Sequence, residues 1–345
     1  MAADFYGKNL LITGASGQLG KTLSRHLLKD GYRLKILARD PQKVMHLANA
    51  GAQIVRGDLT NPASLQSAMS GCHFVFHLAG AAANEQSPKS YFEQVTVAGT
   101  RSLAEAALKA GVERFVHVSC ARVYGTPRDG TIDEFSQLQF SGDAYVDSKV
   151  QAELVLREMA KQSALPLVIA QPSMIYGPGM ETWTRQALRK IAAKQLVLPD
   201  RGEGLLHPLY SEDAADGILA VALSGAVGQA YILCGPDVVT TADFFGYYAR
   251  MLGMEQIPTI SRSQALREVT LSEWVGRLTG QPPKKKRREV QALMGRASCN
   301  GGKAYFDLHF IPGTGLEEGM RQVKEWLDTQ VKKQKQQVST LMAES

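Results

Sequence analysis

Tyr145 and Lys149 stand four residues apart in a helical pattern, so both side chains leave one face of a helix. Of the eleven tyrosines, Tyr145 alone has a lysine four residues on. A free phenol titrates near about 10 and is a poor base at neutral pH. A neighbouring ammonium stabilises the phenolate and lowers that value, so Tyr145 could take a proton from an alcohol or give one to a carbonyl oxygen. The matching hydride is the chemistry of a nicotinamide. A place for one is visible near the N-terminus. The apolar run Asn9-Leu10-Leu11-Ile12 leads into Thr13-Gly14-Ala15-Ser16-Gly17-Gln18-Leu19-Gly20, and a helical pattern follows to Leu28. Glycines permit a tight turn and a close backbone approach, and the helix N-terminus offers N–H groups and a positive dipole end to a pyrophosphate. Gly14, Ser16, Gly17, Gln18, Leu19 and Gly20 are therefore candidate cofactor residues.

These residues need a scaffold, and the pattern supplies one. Candidate strands are Leu10–Thr13, Leu34–Ala38, Gln53–Arg56, Phe74–His77, Phe115–Ser119 and Leu167–Ala170. Helical stretches lie between them near Gln18–Lys29, Pro41–Ala50, Pro62–Ser70, Phe92–Ala110 and Ala144–Gln162. Strands separated by crossover-length helices predict an α/β fold with a doubly wound parallel sheet, and ligands in such sheets sit beyond the C-terminal strand ends. Residues 1–170 read as a dinucleotide-binding Rossmann domain. Residues 171–330 read as a smaller, mostly helical substrate lobe whose strands and helices can interleave with the first, with helices near Thr182–Lys194, Ser211–Leu223, Ala242–Leu252 and Leu316–Gln330. Residues 331–345 are Lys/Gln/Ser-rich and are expected to fray.

Composition narrows the class. With 44% hydrophobic and 21% charged residues the chain is ordinary globular material. No apolar run approaches the roughly 18–20 residues of a membrane span, and Met1–Gly7 shows no secretory signal. Cys72, Cys120, Cys234 and Cys299 lie far apart, and the seven histidines form no cluster, so neither a metal site nor a disulfide framework is expected. A cytoplasmic protein is the expectation. The run Lys284-Lys285-Lys286-Arg287-Arg288 could be a polyanion-binding stretch, but without interleaved aromatics the preferred reading is the solvated start of a helix after Pro282-Pro283. No nucleic-acid partner is expected.

In this order the motifs resemble an extended short-chain dehydrogenase/reductase of the NAD(P)-dependent epimerase/dehydratase superfamily, on the branch of 3β-hydroxysteroid dehydrogenases and dihydroflavonol reductases. Gly57-Asp58-Leu59 resembles the adenine-contacting turn, and His77-Leu78-Ala79-Gly80 the segment lining the cofactor ribose. Val123-Tyr124-Gly125 and Tyr145-x-x-x-Lys149 match the catalytic segments. Gln171-Pro172-Ser173-Met174-Ile175-Tyr176-Gly177-Pro178-Gly179 resembles the loop at the nicotinamide, and Gly315–Met320 with Val323–Leu327 the closing helix. The resemblance implies cofactor contacts from Asp58, Leu59, His77, Leu78, Ala79, Gly80, Val118, Tyr145, Lys149, Pro172, Ser173 and Ile175. It also implies a homodimer built on the stretches Phe92–Ala110 and Ala144–Gln162.

Three positions depart from the family. The usual Ser/Thr four residues before the Tyr of Val-Tyr-Gly is Cys120, a weaker donor; its neighbour Ser119 could replace it where the strand ends. A family Asn is Thr96, and a family Arg is Gln171. At the end of the second strand, Arg39 is placed to meet a ribose 2′-phosphate, with Asp40 as helix N-cap before Pro41. NADP(H) is therefore preferred, and NAD(H) can serve. The approach Gly204-Leu205-Leu206 carries no arginine for a substrate diphosphate, although Arg185, Arg189 or Arg201 could substitute. The expectation is an oxidoreductase interconverting a hydrophobic secondary alcohol and ketone, with a small molecule as partner. Alternatives are a nucleotide-sugar epimerase or dehydratase, and a non-catalytic NAD(P)-binding regulator.

Overall fold

The computed structural model describes residues 5–82, 87–127, 129–280 and 286–343. Lys284 and Lys285 of the basic run lie outside the described residues. Two compact units are present. The first comprises residues 1–173, 212–234 and 299–311; the second comprises 174–211, 235–298 and 312–345. The chain passes from one unit to the other after residues 173, 211, 234, 298 and 311.

The first unit is built on seven parallel strands: β1 (Asn9–Thr13), β2 (Arg33–Ala38), β3 (Gln53–Arg56), β4 (Phe74–His77), β5 (Arg114–Val118), β6 (Leu167–Pro172) and β7 (Ala230–Leu233). Their order is β7-β6-β5-β4-β1-β2-β3, so the sheet reverses direction between β1 and β4. Such a reversal opens a crevice at the C-terminal strand ends. Six strands fall at the short apolar runs read from the sequence. The seventh was not anticipated.

Side chains alternate across the sheet. Leu11, Val75, Phe115 and Ile169 face a layer formed by α2 (Pro62–Met69), α3 (Gly99–Ala110) and α4 (Ala144–Ser163), and are fully buried there with Leu65, Leu103, Ala107 and Leu156. Leu10, Ile12, Phe74 and Phe76 alternate with that set, and Phe5 packs edge-on against Phe74 and Phe76. Helices α1 (Gln18–Lys29) and α5 (Ser211–Ser224) are joined through His26, which lies 2.5 Å from Glu212 and 3.0 Å from Asp216.

The stretch expected as one helix from Phe92 is broken. A short helical turn, Lys89–Phe92, passes into a π-helical segment, Glu93–Ala98, before α3 begins. The wider turn holds Thr96 so that its hydroxyl oxygen accepts the Ala81 N–H at 3.0 Å. Such π-turns recur at functional sites.

In the second unit, α6 (Thr241–Met251) packs Phe244, Phe245 and Tyr248 into a core with Tyr176, Tyr210, Met320 and Val323. α7 (Arg262–Thr279) and α8 (Arg287–Met294) follow, and α9 runs from Leu316 to Ala343. Helical backbone therefore extends through residues 331–343, where Lys, Gln and Leu are favourable helix formers. Met174–Tyr176 pairs in parallel with Pro208–Tyr210.

Candidate active site

The loop after β1 is closed by two glycines that no other residue could replace in place. Gly14 has φ +81°, and a Cβ there would lie 2.7 Å from the Ala79 nitrogen. A Cβ on Gly20 would lie 2.3 Å from the Gly14 oxygen. The loop after β1 is thereby pressed against the loop after β4. Thr13 joins them: its hydroxyl oxygen accepts the Ala79 N–H at 3.3 Å and pairs with His77 Nδ1 at 2.8 Å. The first turn of α1 has no side-chain cap and no acidic residue, whereas α2 and α4 are capped by Asn61 and Asp143. Ser16 and Gly17 are exposed, Gln18 and Leu19 half-buried. An uncapped, acid-free N-terminus beyond a parallel strand fits a dinucleotide pyrophosphate.

Tyr145 is placed by the start of α4. Asp143 accepts the N–H of Tyr145 at 3.0 Å and of Val146 at 3.2 Å, while the Asp147 carboxylate accepts those of Ser141 and Gly142 at 2.7 and 3.1 Å. Both ends of the turn are tied, and Tyr145 faces the cluster of Ala121, Val123, Tyr124, Val146 and Val150, against which Cys120 also packs. One turn on, the buried Lys149 Nζ donates to the Val118 carbonyl at 3.2 Å, at the last residue of β5. The position of a Cβ on Gly80 lies 3.8 Å from the same Nζ. Cys120, Tyr145, Lys149, Val118 and Gly80 are thus brought together. Ser119 is buried beside them, and its Oγ has no hydrogen-bond partner among the described residues.

The electrostatics differ from the expected picture. Burial pushes the Tyr145 phenol well above its usual value, and the neighbouring Cys120 adds to the rise. Burial also lowers Lys149, against the opposing pull of Cys120 and Glu153. Lys149 donates to a backbone carbonyl, and the charge that opposes the rise of Tyr145 is that of Arg122, which desolvation outweighs. In place of the expected depression of the phenol, burial favours its protonated form, the one that donates. Cys120 is likewise raised by burial and stays a thiol.

A buried polar chain lies behind the pair. Tyr124 Oη donates to Gln171 Oε1 at 2.8 Å, and Gln171 Nε2 donates to both oxygens of Glu153 at 3.0 and 3.1 Å. Arg157 donates to Glu153 Oε1 through Nε and Nη2 at 3.0 and 2.7 Å. Tyr145, Lys149, Glu153 and Arg157 form one ladder at spacing four along α4. Only its first two rungs were singled out from the sequence; the same spacing would have found the rest.

The model of the NAD dependent epimerase/dehydratase family matches residues 10–234. The chain belongs to this family. It is an NAD(P)-dependent enzyme of the extended short-chain dehydrogenase/reductase type. A 4-hydroxy-2-methyl-3-oxo-4-farnesyl-3,4-dihydroquinoline-1-oxide ketoreductase of Stigmatella aurantiaca is 26% identical over 321 residues, covering 91% of this chain and 95% of the relative. A 2-alkyl-3-oxoalkanoate reductase of Shewanella oneidensis is 25% identical over 339 residues, covering 91% and 84%. The dTDP-glucose 4,6-dehydratase DesIV of Streptomyces venezuelae, solved with NAD bound, superposes with a TM-score of 0.76 at 23% identity over 93% of this chain and 97% of that one, a likeness of fold.

The remaining epimerase/dehydratase motifs fall less simply. The His77 ring is fully buried, with Nδ1 on Thr13 and Nε2 on Thr100, both at 2.8 Å, and desolvation lowers it to about 3. A ring so engaged ties β4 to Thr13 and to Thr100 of α3 and positions the loop Leu78-Ala79-Gly80 that follows it. Arg39 is exposed at the end of β2, with Nε 3.9 Å from Asp58 of the turn after β3; Leu59 is buried. Asp40 caps the following turn through Gln42 N at 3.1 Å, as expected. Pro172 ends β6, and the Ser173 N–H donates to the Leu233 carbonyl at 2.8 Å. Ile175 lies in the second unit, paired with Leu209.

Proposed function

We propose that this enzyme interconverts a hydrophobic secondary alcohol and a ketone, with NADP(H) preferred. The observation that carries the reading is the placement of Tyr145, fixed at its backbone by Asp143 and set one turn from the buried Lys149, where burial favours the protonated phenol. The bound nicotinamide supplies the hydride in reduction and takes it in oxidation. Tyr145 holds a proton on Oη and gives it to the substrate oxygen, leaving a phenolate. The Lys149 charge then stabilises that phenolate. Cys120 packs in the same cluster and orients the substrate oxygen as a weak donor. Gly14, Ser16, Gly17, Gln18, Leu19 and Gly20 would hold the pyrophosphate. Leu78, Ala79, Gly80, Val118, Asp58, Leu59, Pro172 and Ser173 would complete the cofactor contacts.

The ketone and hydrocarbon named in both reductase relatives support a lipophilic ketone as substrate. A Tyr145→Phe variant should lose on the order of 10²–10⁴-fold in turnover of 3-oxo substrates while still binding NADPH. Unchanged turnover, or purified protein that carries NAD(H) through buffer exchange as an epimerase would, refutes the reading. Arg39 supports the cofactor preference. Its pair with Asp58 is exposed and therefore weak, so the guanidinium is available to a 2′-phosphate. Arg39→Ala should weaken NADPH binding about tenfold and spare NADH; equal loss of both overturns the preference.

A further inference from the structure

The four cysteines are far apart in the sequence, and all are thiols in the structure. Three of them nevertheless gather at one place. Cys120, Cys234 and Cys299 pack against the buried cluster around Tyr124, Val146 and Ile232, which Tyr145 also faces. Within that group Cys234 and Cys299 form a close pair. The Cys234 Sγ donates to the Cys299 carbonyl oxygen at 3.5 Å. The chain just beyond Cys299 stays beside it: a Cβ on Gly301 would lie 3.5 Å from Cys234 Cβ and 3.8 Å from its Sγ. The Cβ atoms of a disulfide sit about 3.5–4.5 Å apart, so a sulfur that reaches the other residue's main chain leaves only side-chain rotation before an S–S bond.

Each cysteine is held by its own strand. Cys234 follows Leu233, the last residue of β7. Cys299 ends the short strand Ser298–Cys299, which pairs with Thr131–Ile132, and the next N–H, of Asn300, donates to the Ile132 carbonyl at 2.9 Å. The pair also marks a point in the chain path. The chain leaves the first unit after Cys234 and re-enters it at Cys299, with the 64 residues 235–298 between. A bond here closes that whole excursion at its neck.

We propose that Cys234 and Cys299 are a redox modification site, a dithiol that hydrogen peroxide converts into an intramolecular disulfide. Both sulfurs are half-buried, which suits an oxidant hardly larger than a water molecule. A side-chain hydrogen bond with Cys299 holds the Cys234 thiol well above its ordinary pKa, and burial adds to the rise. Cys299 is therefore the attacking sulfur. Its thiolate displaces hydroxide from the peroxide and becomes a sulfenic acid. Cys234 then gives up its proton and displaces a second hydroxide from that sulfur, forming the S–S bond. The two sulfurs lose two electrons, their two protons end on the hydroxides, and one peroxide becomes two waters. A dithiol such as dithiothreitol reverses the step by exchange. Cys120 is pushed up by burial and stays a thiol, and Cys72 lies in the other core cluster of the first unit. This inference is independent of the proposed reaction.

The test is peroxide treatment of the full chain, followed by mass spectrometry under denaturing, non-reducing conditions. The intact mass should fall by two hydrogens, two of the four thiols should resist alkylation, and proteolysis should yield peptides joined through Cys234 and Cys299. Closing so long a loop should raise the melting temperature by roughly 5–10 °C. Dithiothreitol should restore the original mass and melting temperature. Cys234→Ser should leave a sulfenic acid on Cys299 that dimedone traps, and Cys299→Ser should leave none. Cys120→Ser and Cys72→Ser should cross-link like the wild type. If either serine variant fails to fold, the peptide map of the wild type decides alone. Four thiols that all still alkylate after peroxide overturn the proposal. So does a cross-link through Cys120 or between two chains, a sulfenic acid on Cys234 in Cys299→Ser, or a cross-linked protein that melts no higher than the reduced one.

Discussion

Replacing Glu153 by leucine tests the buried ladder on α4 most directly. The carboxylate is fully buried and answers two donors. Leucine fills similar space, so the loss is polar. Arg157, 31% exposed, can turn to water and costs little. Gln171 cannot: it is fully buried, its Oε1 is taken by Tyr124, and its amide N–H groups would face no acceptor. An orphaned buried donor costs about 1–3 kcal/mol, and a broken buried ion pair about 3–5. With Arg157 able to reach solvent, the sum falls near about 3 kcal/mol. For a unit of this size that is a drop in melting temperature of roughly 6–12 °C. Thermal unfolding followed by circular dichroism, checked by urea denaturation at constant m-value, reads it out. Removing both partners in Glu153→Leu/Gln171→Leu should cost less than the two single changes combined. Glu153→Gln keeps an acceptor for Gln171 and should be milder, but it removes a carboxylate that holds the Lys149 pKa up, so that pKa falls further. A Glu153→Leu variant that melts within 2 °C of wild type (about 1 kcal/mol or less) would refute the reasoning, because the network would then hold nothing.

Two further outcomes are expected. Hydrogen bonds from His26 to Asp216 and Glu212 raise its pKa to about 9. A raised folded-state value means that the α1–α5 clamp is complete below about pH 6.5 and is lost as pH climbs through about 9. His26→Gln should flatten the melting-temperature profile across that window; a profile that still falls like the wild type's assigns the dependence to another group. At the catalytic cluster, Cys120→Ser should raise turnover about five-fold by restoring a hydroxyl donor worth about 1 kcal/mol, and Ser119→Ala should leave it unchanged. The opposite pattern, with Ser119→Ala alone damaging, would transfer the orienting role to Ser119.

The sheet was legible because its strands alternate and its glycines punctuate them. β1 to β5 follow from runs such as Phe74–His77 set between helical patterns. β7 was missed because Ala-Tyr-Ile-Leu is a four-residue run amid loops, and it joins β6 only through contacts made far along the chain. The π-turn at Glu93–Ala98 was hidden for a similar reason: its Thr96–Ala81 bond spans a loop that local periodicity does not see. At the site, Tyr145 and Lys149 were visible from their spacing. The direction of the Tyr145 shift was not, since it depends on how desolvation compares with a charge whose position the sequence does not give. His77 read as a ribose neighbour from its motif, but Thr13 and Thr100 occupy both its nitrogens.

The late arrival of β7 also bears on synthesis. β6 ends at Pro172 and β7 begins at Ala230, so 57 residues must be made between neighbouring strands. At about 5–20 residues per second that is roughly 3–11 s on the ribosome. Throughout that interval the nascent sheet can be six strands wide, with the apolar β6 as a bare edge that invites pairing with another chain. The final strand therefore caps as well as extends the sheet, and its delay sets a period in which a nascent chain of this protein depends most on being shielded from its neighbours.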